Sequence, residues 1–212
     1  MSDQTFLNQK IRIGQTEIPL LYLIGGVALL FIIFALFSGS GSVTDENGNR
    51  YSTKRMEDGR VWVTENLRAE VEDSYCFLNT PENCETYGRL YTWQSAQLAC
   101  ASLGKRWRLP TDEEWGKLAA AYGGYKGESE DEGKGAAAAL LGEGASGFKA
   151  TLSGFGVLGQ RFMYQNDMGA YWTSTELDGR YAWNYGFEVG TKNLVRDRIT
   201  KSYNICVRCI RD

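Results

Sequence analysis

Residues 105–115, KRWRLPTDEEW, decide how the folded part of this 212-residue chain is read. Two arginines, three acids and two tryptophans crowd around one proline. The stretch is either the floor of a binding or catalytic site or the start of a helix. Thr111-Asp112-Glu113-Glu114 has the pattern of a capping box. The Thr111 hydroxyl can accept from the Glu114 amide, and the Glu114 carboxylate can reach back to the Thr111 amide. Asp112 and Glu113 fall in the first turn, where the helix dipole favours negative charge. Pro110 needs no amide hydrogen. Trp115, Leu118, Ala119 and Tyr122 then recur at helical spacing, and Gly123-Gly124 stops the run. The acids therefore have a sufficient structural explanation, and a helix over 112–122 is expected. An active-site carboxylate pair would need a base or metal beside it, and the sequence supplies none.

Working outward, Trp93, Ala96, Cys100 and Leu103 share one face of a second helix, with Thr92 as its cap and Gly104 at its end. Asp45-Glu46-Asn47-Gly48-Asn49 is a turn signal. Residues 60–64 alternate like a strand. So do Tyr181, Trp183, Tyr185, Phe187 and Val189, and 194–200 and 203–210 read as two more strands. Residues 125–147 are weakly ordered by composition, with an acidic run at 128–132 that reads as a solvated loop and a short helical turn at 136–141. Gly154-Phe155-Gly156-Val157-Leu158-Gly159 fits a nucleotide-loop pattern, but Arg161 to Tyr164 continue as a strand where that loop needs a helix. Two helices against several late strands predict an α+β fold with a mainly antiparallel sheet.

Upstream, residues 18–37 read IPLLYLIGGVALLFIIFALF, twenty residues without a charge. At about 1.5 Å per residue such a run spans a bilayer core as a helix. A cleaved leader is the alternative. Ala35-Leu36-Phe37 is a poor cleavage site, whereas Ser38 and Ser40 would serve. The expected organisation is a cytoplasmic segment 1–17, a transmembrane helix 18–37, a Gly/Ser linker 38–44 and a domain 45–212. Gly25 and Gly26 are candidates for close helix packing in the membrane. Flanking charge does not orient the span, since Lys10 and Arg12 precede it and Arg50, Lys54 and Arg55 follow. The chain has no histidine, which removes His-based acid–base and nucleophilic catalysis and His metal sites. A net charge of -3 and the lack of a long basic run argue against nucleic acid. No catalytic, cofactor-binding or metal residue is expected.

Seven stretches occur in the order expected for one family. They are DENGNRYST at 45–53, VWVTENL at 61–67, YCFLNTPENCETYGRLYTW at 75–93 and LGKRWRLPTDEEW at 103–115, followed by SGFKATLSGF at 146–155, YWTSTE at 171–176 and VRCIRD at 207–212. Through them the chain resembles the Fibrobacter succinogenes major paralogous domain. RLPTDEEW also resembles the signature of formylglycine-generating, sulfatase-modifying proteins. Both resemblances imply a C-type-lectin-like fold, two helices packed on a twisted, mainly antiparallel sheet. The chemistry does not carry over. No position matches the redox cysteine pair of the sulfatase-modifying enzymes, and the lectin calcium triplets are missing, with Ala182-Trp183-Asn184-Tyr185 the nearest approach.

Five cysteines allow fifteen ways of forming two bridges. The resemblance and the local chemistry together select Cys76 with Cys84, which bracket FLNTPEN. The lectin-like fold implies Cys100 with Cys209. Cys206 then remains as a free or partner-facing thiol, because residues 205, 207 and 209 of a strand face the core and 206 faces away. Redox or zinc use of Cys206-Val207-Arg208-Cys209 needs a turn that a strand does not provide. Two bridges imply an oxidising compartment. The expectation is therefore a single-pass protein of the bacterial inner membrane, N-terminus cytoplasmic, with its domain periplasmic or extracellular.

The function expected is a membrane-anchored, non-catalytic structural or interaction protein. It would be an accessory subunit of a larger membrane complex, of the energy-converting or photosynthetic kind among others. Its partners would be integral-membrane subunits and the lipid bilayer. The first alternative is a surface glycan-binding or adhesion protein, which would present Tyr164, Tyr171, Trp172, Trp183 and Tyr185 to a sugar. The second is an enzyme of the sulfatase-modifying type.

Overall fold

The computed structural model describes residues 10–13, 16–19 and 40–211, in two units, 1–40 and 41–212. In the first unit β1 (Lys10–Ile13) and β2 (Thr16–Pro19) pair antiparallel, Ile13 opposite Thr16. This corrects the expected transmembrane helix. Ile18 and Pro19 lie in a strand, and among the described residues no helix is long and apolar enough to cross a membrane. Residues 20–37 of the expected span, with Gly25 and Gly26, lie outside the described residues.

The second unit opens with β3 (Gly41–Thr44), β4 (Arg50–Arg55) and β5 (Val61–Val63), an antiparallel meander. Gly41–Thr44 is thus strand, not the end of a linker. The turn between β3 and β4 is closed by Asp45, whose Oδ1 accepts from the amides of Asn47 and Asn49 at 3.0 and 2.9 Å. Its Oδ2 accepts from the Tyr51 hydroxyl at 2.6 Å. A two-stranded ladder, β6 (Ser74–Tyr75) with β7 (Leu90–Tyr91), brackets a 3-10 turn, Phe77–Asn79, and helix α1 (Pro81–Tyr87). Helix α2 (Trp93–Ala101) begins at Thr92, whose hydroxyl accepts from the Ser95 amide. Helix α3 (Asp112–Ala121) begins with both hydrogen bonds of the capping box. Helix α4 (Lys134–Leu140) starts where Asp131, from the acidic run, accepts from the Gly135 amide at 2.7 Å.

The remaining strands are β8 (Ser153–Val157), β9 (Arg161–Gln165), β10 (Met168–Glu176), β11 (Tyr181–Glu188), β12 (Asn193–Thr200), β13 (Tyr203–Asn204) and β14 (Ile210–Arg211). The larger sheet runs β12-β11-β10-β8-β13, with β9 paired to β8, and curls into a half-barrel. The smaller one runs β14-β5-β4-β3. Strands β10 and β8 run parallel and meet where Gly169 faces Gly154. A Cβ on Gly169 would lie 2.2 Å from the Thr151 carbonyl oxygen, and one on Gly154 would lie 2.4 Å from that of Met163. Only glycines allow this close backbone approach.

The fold expectation is corrected on these grounds. The described residues hold four α-helices rather than two. The dominant sheet is mixed, and a second sheet stands beside it. The result is a strand-rich, curled architecture, not a transmembrane helix followed by a lectin-like domain. Helix α1 was missed although Thr80-Pro81-Glu82 carries a start signal, with Pro81 in the first helical turn and an acid beside it.

The segment from Ile205 to Ile210 joins these parts. Ile205 exchanges backbone hydrogen bonds with Tyr91 of β7, and Ile210 does so with Arg108. The Cys206 amide donates to Ala170, its carbonyl accepts from Trp172 in β10, and the Val63 amide of β5 donates to the Cys209 carbonyl. Every residue from 205 to 210 is buried. Ile205, Val207 and Cys209 pack into one core with Trp107, Leu109 and Trp172. Cys206 and Ile210 pack into the other, around Trp62, Trp115, Phe148, Tyr171 and Tyr185. In that second core the Trp115 ring lies 5.1 Å from Trp62, 5.5 Å from Phe148 and 5.3 Å from Tyr185.

Arg208 is fully buried in the same segment. Its Nε donates to Asn66 Oδ1 at 2.8 Å, Nη1 to the Phe148 carbonyl at 2.7 Å, and Nη2 to the Lys149 carbonyl at 2.6 Å. Its guanidinium lies 4.7 Å from the Phe148 ring centre. Removing one partner from such a network leaves the others buried and unpaired, at a cost of about 3–5 kcal/mol. Arg208→Met keeps the alkyl stem and removes the donors. It is expected to lower unfolding stability by about that much, read from urea titration with both bridges intact. A loss below about 1 kcal/mol would mean that the network is dispensable.

Candidate functional site

The three acids of residues 105–115 are bound into the fold. Glu114 receives Arg108 Nη1 and Nη2, both at 2.8 Å, and the Thr111 amide at 2.8 Å, while Arg60 Nη2 lies 3.0 Å from it. Burial pushes the Glu114 carboxyl up. The Arg108 and Thr111 hydrogen bonds, with the charges of Arg108 and Arg60, outweigh this and bring it from 4.5 to about 2. Asp112 holds Arg196 in a two-pronged pair at 2.7 and 2.6 Å. Glu113 pairs with Lys117 at 2.7 Å one turn along.

The five aromatics considered as a sugar surface do not form one. Tyr171, Trp172 and Tyr185 are buried. The Tyr171 hydroxyl bridges the Thr151 amide and carbonyl, and Trp172 Nε1 donates to the Tyr91 carbonyl at 2.7 Å. The Tyr185 hydroxyl donates to the Asp112 carbonyl at 3.3 Å, and burial first, then the nearby Asp112 charge, raises its pKa. Trp183 is half-buried, with the Arg196 guanidinium 3.5 Å from its ring centre. Tyr164 is 52% exposed on β9 and leans on Phe155.

Cys76 bonds to Cys84, and Cys100 to Cys209. Cys206 is unpaired, but a partner-facing thiol is not what the fold presents. The strand expected over 203–210 is instead two short ones, β13 and β14, but the side chains of 205–210 still alternate, and the face opposite the first core is covered by the second core rather than by solvent. Cys206 Sγ lies 3.2 Å from Asn66 Nδ2. Burial pushes its thiol up to about 11, against the smaller effects of Ser153 and Arg208. A buried thiol of this kind is unreactive at neutral pH.

The surface does offer a polar groove, a cavity of about 480 Å³. Its wall comprises Asn47 and Asn49 from the β3–β4 turn, Arg68, Glu70 and Arg89, and Asn79 beside the Cys76–Cys84 bridge. Arg89 is fixed by Glu70 at 3.0 Å and by the Ser74 hydroxyl at 3.2 Å. Arg68 lies 5.0 Å from the Tyr51 ring centre. Burial, then the hydrogen bond to Asp45, raises the Tyr51 phenol. A second concavity of about 530 Å³ is apolar, formed by Ala137, Ala138, Leu141, Phe187 and Val189, with Lys134 and Lys192 also in its wall. Among the described residues no group of three acidic or cysteine side chains could hold a metal ion.

The polar groove draws on the first and third of the seven stretches, DENGNRYST and YCFLNTPENCETYGRLYTW. Residues 47–211 match the family model of the Fibrobacter succinogenes major domain. The chain belongs to that family. Neither characterised proteins nor solved structures give a significant match. For the Fibrobacter succinogenes major domain as it stands here, sequence reasoning missed Arg208, Asn66, Arg68 and Arg89. A signal existed for Arg208: it is the one charge within the otherwise apolar run Ile205-Cys206-Val207-Arg208-Cys209-Ile210.

Glu114 yields a pH prediction. Its folded pKa lies below its unfolded one, so its contribution is complete above about 4.5 and is lost as pH falls toward 2. Glu114→Gln is therefore expected to lower the urea midpoint at pH 7 and to match the parent chain at pH 2. An equal deficit at both values would show that the charge of Glu114 is irrelevant.

Proposed function

We propose that this chain is a non-catalytic interaction module, an accessory subunit of a larger membrane assembly, with its folded domain on the oxidising side of the bacterial cytoplasmic membrane. The observation that carries the reading is where the perturbed ionisable groups stand. Glu114, Tyr51, Tyr185, Cys206 and Arg208 each have partners that hold the fold. Perturbed groups gathered in a cleft would have marked an active site. The first concavity presents asparagines, arginines, acids and the Cys76–Cys84 bridge, and the second chiefly alkyl groups, surfaces suited to contact with a partner. Two disulfides support an oxidising compartment. The uncharged run at 18–37, taken as sequence, supports a membrane setting.

A second reading, glycan binding, is favoured by the polar groove rather than by the five aromatics. Its asparagines and arginines are planar side chains able to pair with adjacent hydroxyls.

The experiment is gentle detergent extraction of native membranes, then size separation and mass spectrometry of what co-migrates. The accessory-subunit reading predicts a stoichiometric set of integral-membrane proteins. Migration alone, at the mass of one chain plus micelle, would overturn it, and the micellar full chain would then be taken to a glycan array.

A further inference from the structure

The two bridges occupy unlike surroundings. Cys100, in α2, and Cys209, in the C-terminal segment, are both fully buried. Cys76 and Cys84 both line the open polar groove, Cys76 half-buried and Cys84 7% exposed. Arg89 Nη1 lies 3.5 Å from Cys76 Sγ and 3.7 Å from Cys84 Sγ. Between the two cysteines, Leu78 and Asn79 are held at φ of 56° and 53°, a left-handed conformation that non-glycine residues rarely adopt. Leu78 is also 61% exposed. A cation beside a sulfur stabilises the thiolate that forms when the bond breaks, and a better-stabilised leaving thiolate leaves faster.

We propose that Cys76–Cys84 is a thiol–disulfide exchange site for a dithiol reductant, with Arg89 holding the departing sulfur. One thiolate of the dithiol attacks Sγ of Cys76, the more exposed residue of the two. The Cys76–Cys84 bond breaks and its electron pair leaves on Cys84 Sγ as a thiolate beside Arg89. The second thiol of the reductant then attacks its own sulfur in the mixed disulfide, and Cys76 departs as a thiolate. The two cysteines take up the two protons lost by the dithiol, which becomes a disulfide. Two electrons pass to the bridge, and residues 77–83 are released from it. Arg89 is a positioning residue in this step, and Glu70, paired to it at 3.0 Å, competes for its charge.

The test treats the full chain with graded dithiothreitol, quenches with acid, alkylates, and reads each cysteine by peptide mass spectrometry. Cys76 and Cys84 are expected to open at reductant concentrations about tenfold below those needed for Cys100 and Cys209, while circular dichroism stays native and Cys206 remains unlabelled. Arg89→Gln is expected to slow that opening about three- to tenfold without changing Cys100–Cys209. Glu70→Gln is expected to speed it. An arginine acting only on stability would give the reverse, since its loss would expose both bridges. Simultaneous opening of the two bridges, or opening in Arg89→Gln as fast as in the parent chain, would overturn the proposal. Should Arg89→Gln not fold, the order of opening in the parent chain and the rate in Glu70→Gln decide.

Discussion

A guanidinium sealed in the interior, with no carboxylate at ion-pair distance among the described residues, is the constraint on which the domain depends. Arg208 is surrounded by carbonyl oxygens from Phe148 and Lys149, by Asn66 Oδ1 and by the Phe148 ring. Burial lowers its pKa, and Tyr171 and Cys206 act in the other direction. Moving such a cation out of water costs several kcal/mol, which its hydrogen bonds roughly offset. Measured against an apolar replacement of the whole network the gain is small, but loss of Arg208 alone strands its buried acceptors, and the geometry is exacting. Residues 148 and 149 must lie across from the C-terminal segment, and Asn66 must lie beside it. Asn66 extends the demand outward, donating from Nδ2 to the Tyr87 carbonyl and to Thr151 Oγ1, both at 2.8 Å. One side chain thereby aligns the end of β5, the end of α1, the approach to β8 and the C-terminal segment.

The second constraint is covalent. Cys100–Cys209 joins α2 to that same C-terminal segment, 109 residues apart in sequence. In the chain-entropy view a loop of this length contributes about 4–5 kcal/mol by restricting the unfolded chain. The bridge and the Arg208 network act on opposite faces of one buried segment, and each closes a different core. The outer bridge at Cys76 has no such place. It borders solvent, a groove and an arginine, and this contrast separates a bond that holds the fold from one able to exchange.

Local signals were legible wherever a side chain acts on its own backbone. Thr111 and Glu114 announced α3, Thr92 announced α2, and Asp45 announced the β3–β4 turn, because caps and turns are fixed within a few residues. The alternation from Tyr181 to Phe187 announced β11. Long-range matters were not legible. Nothing near Cys206 states that both faces of its segment are covered, so alternation alone sent it to the surface when the second core covers it. Tyr171, Trp172 and Tyr185 look the same in sequence whether they meet a sugar or the interior of a core. The mixed sheet arises from the contact of Gly154 with Gly169, which depends on two distant segments meeting. Arg208 was overlooked because a charge near a chain end is ordinarily read as solvated, and its acceptors come from residues as distant as Asn66 and Phe148.

Native-state hydrogen exchange of the C-terminal segment tests the central claim most directly. If this segment is the common member of both cores, the amides of Ile205, Cys206 and Ile210, and those of their partners Tyr91, Trp172 and Arg108, exchange only through global unfolding and at one shared free energy. Exchange of residues 205–210 by local fraying, faster than that of the β11–β12 ladder, would contradict the account.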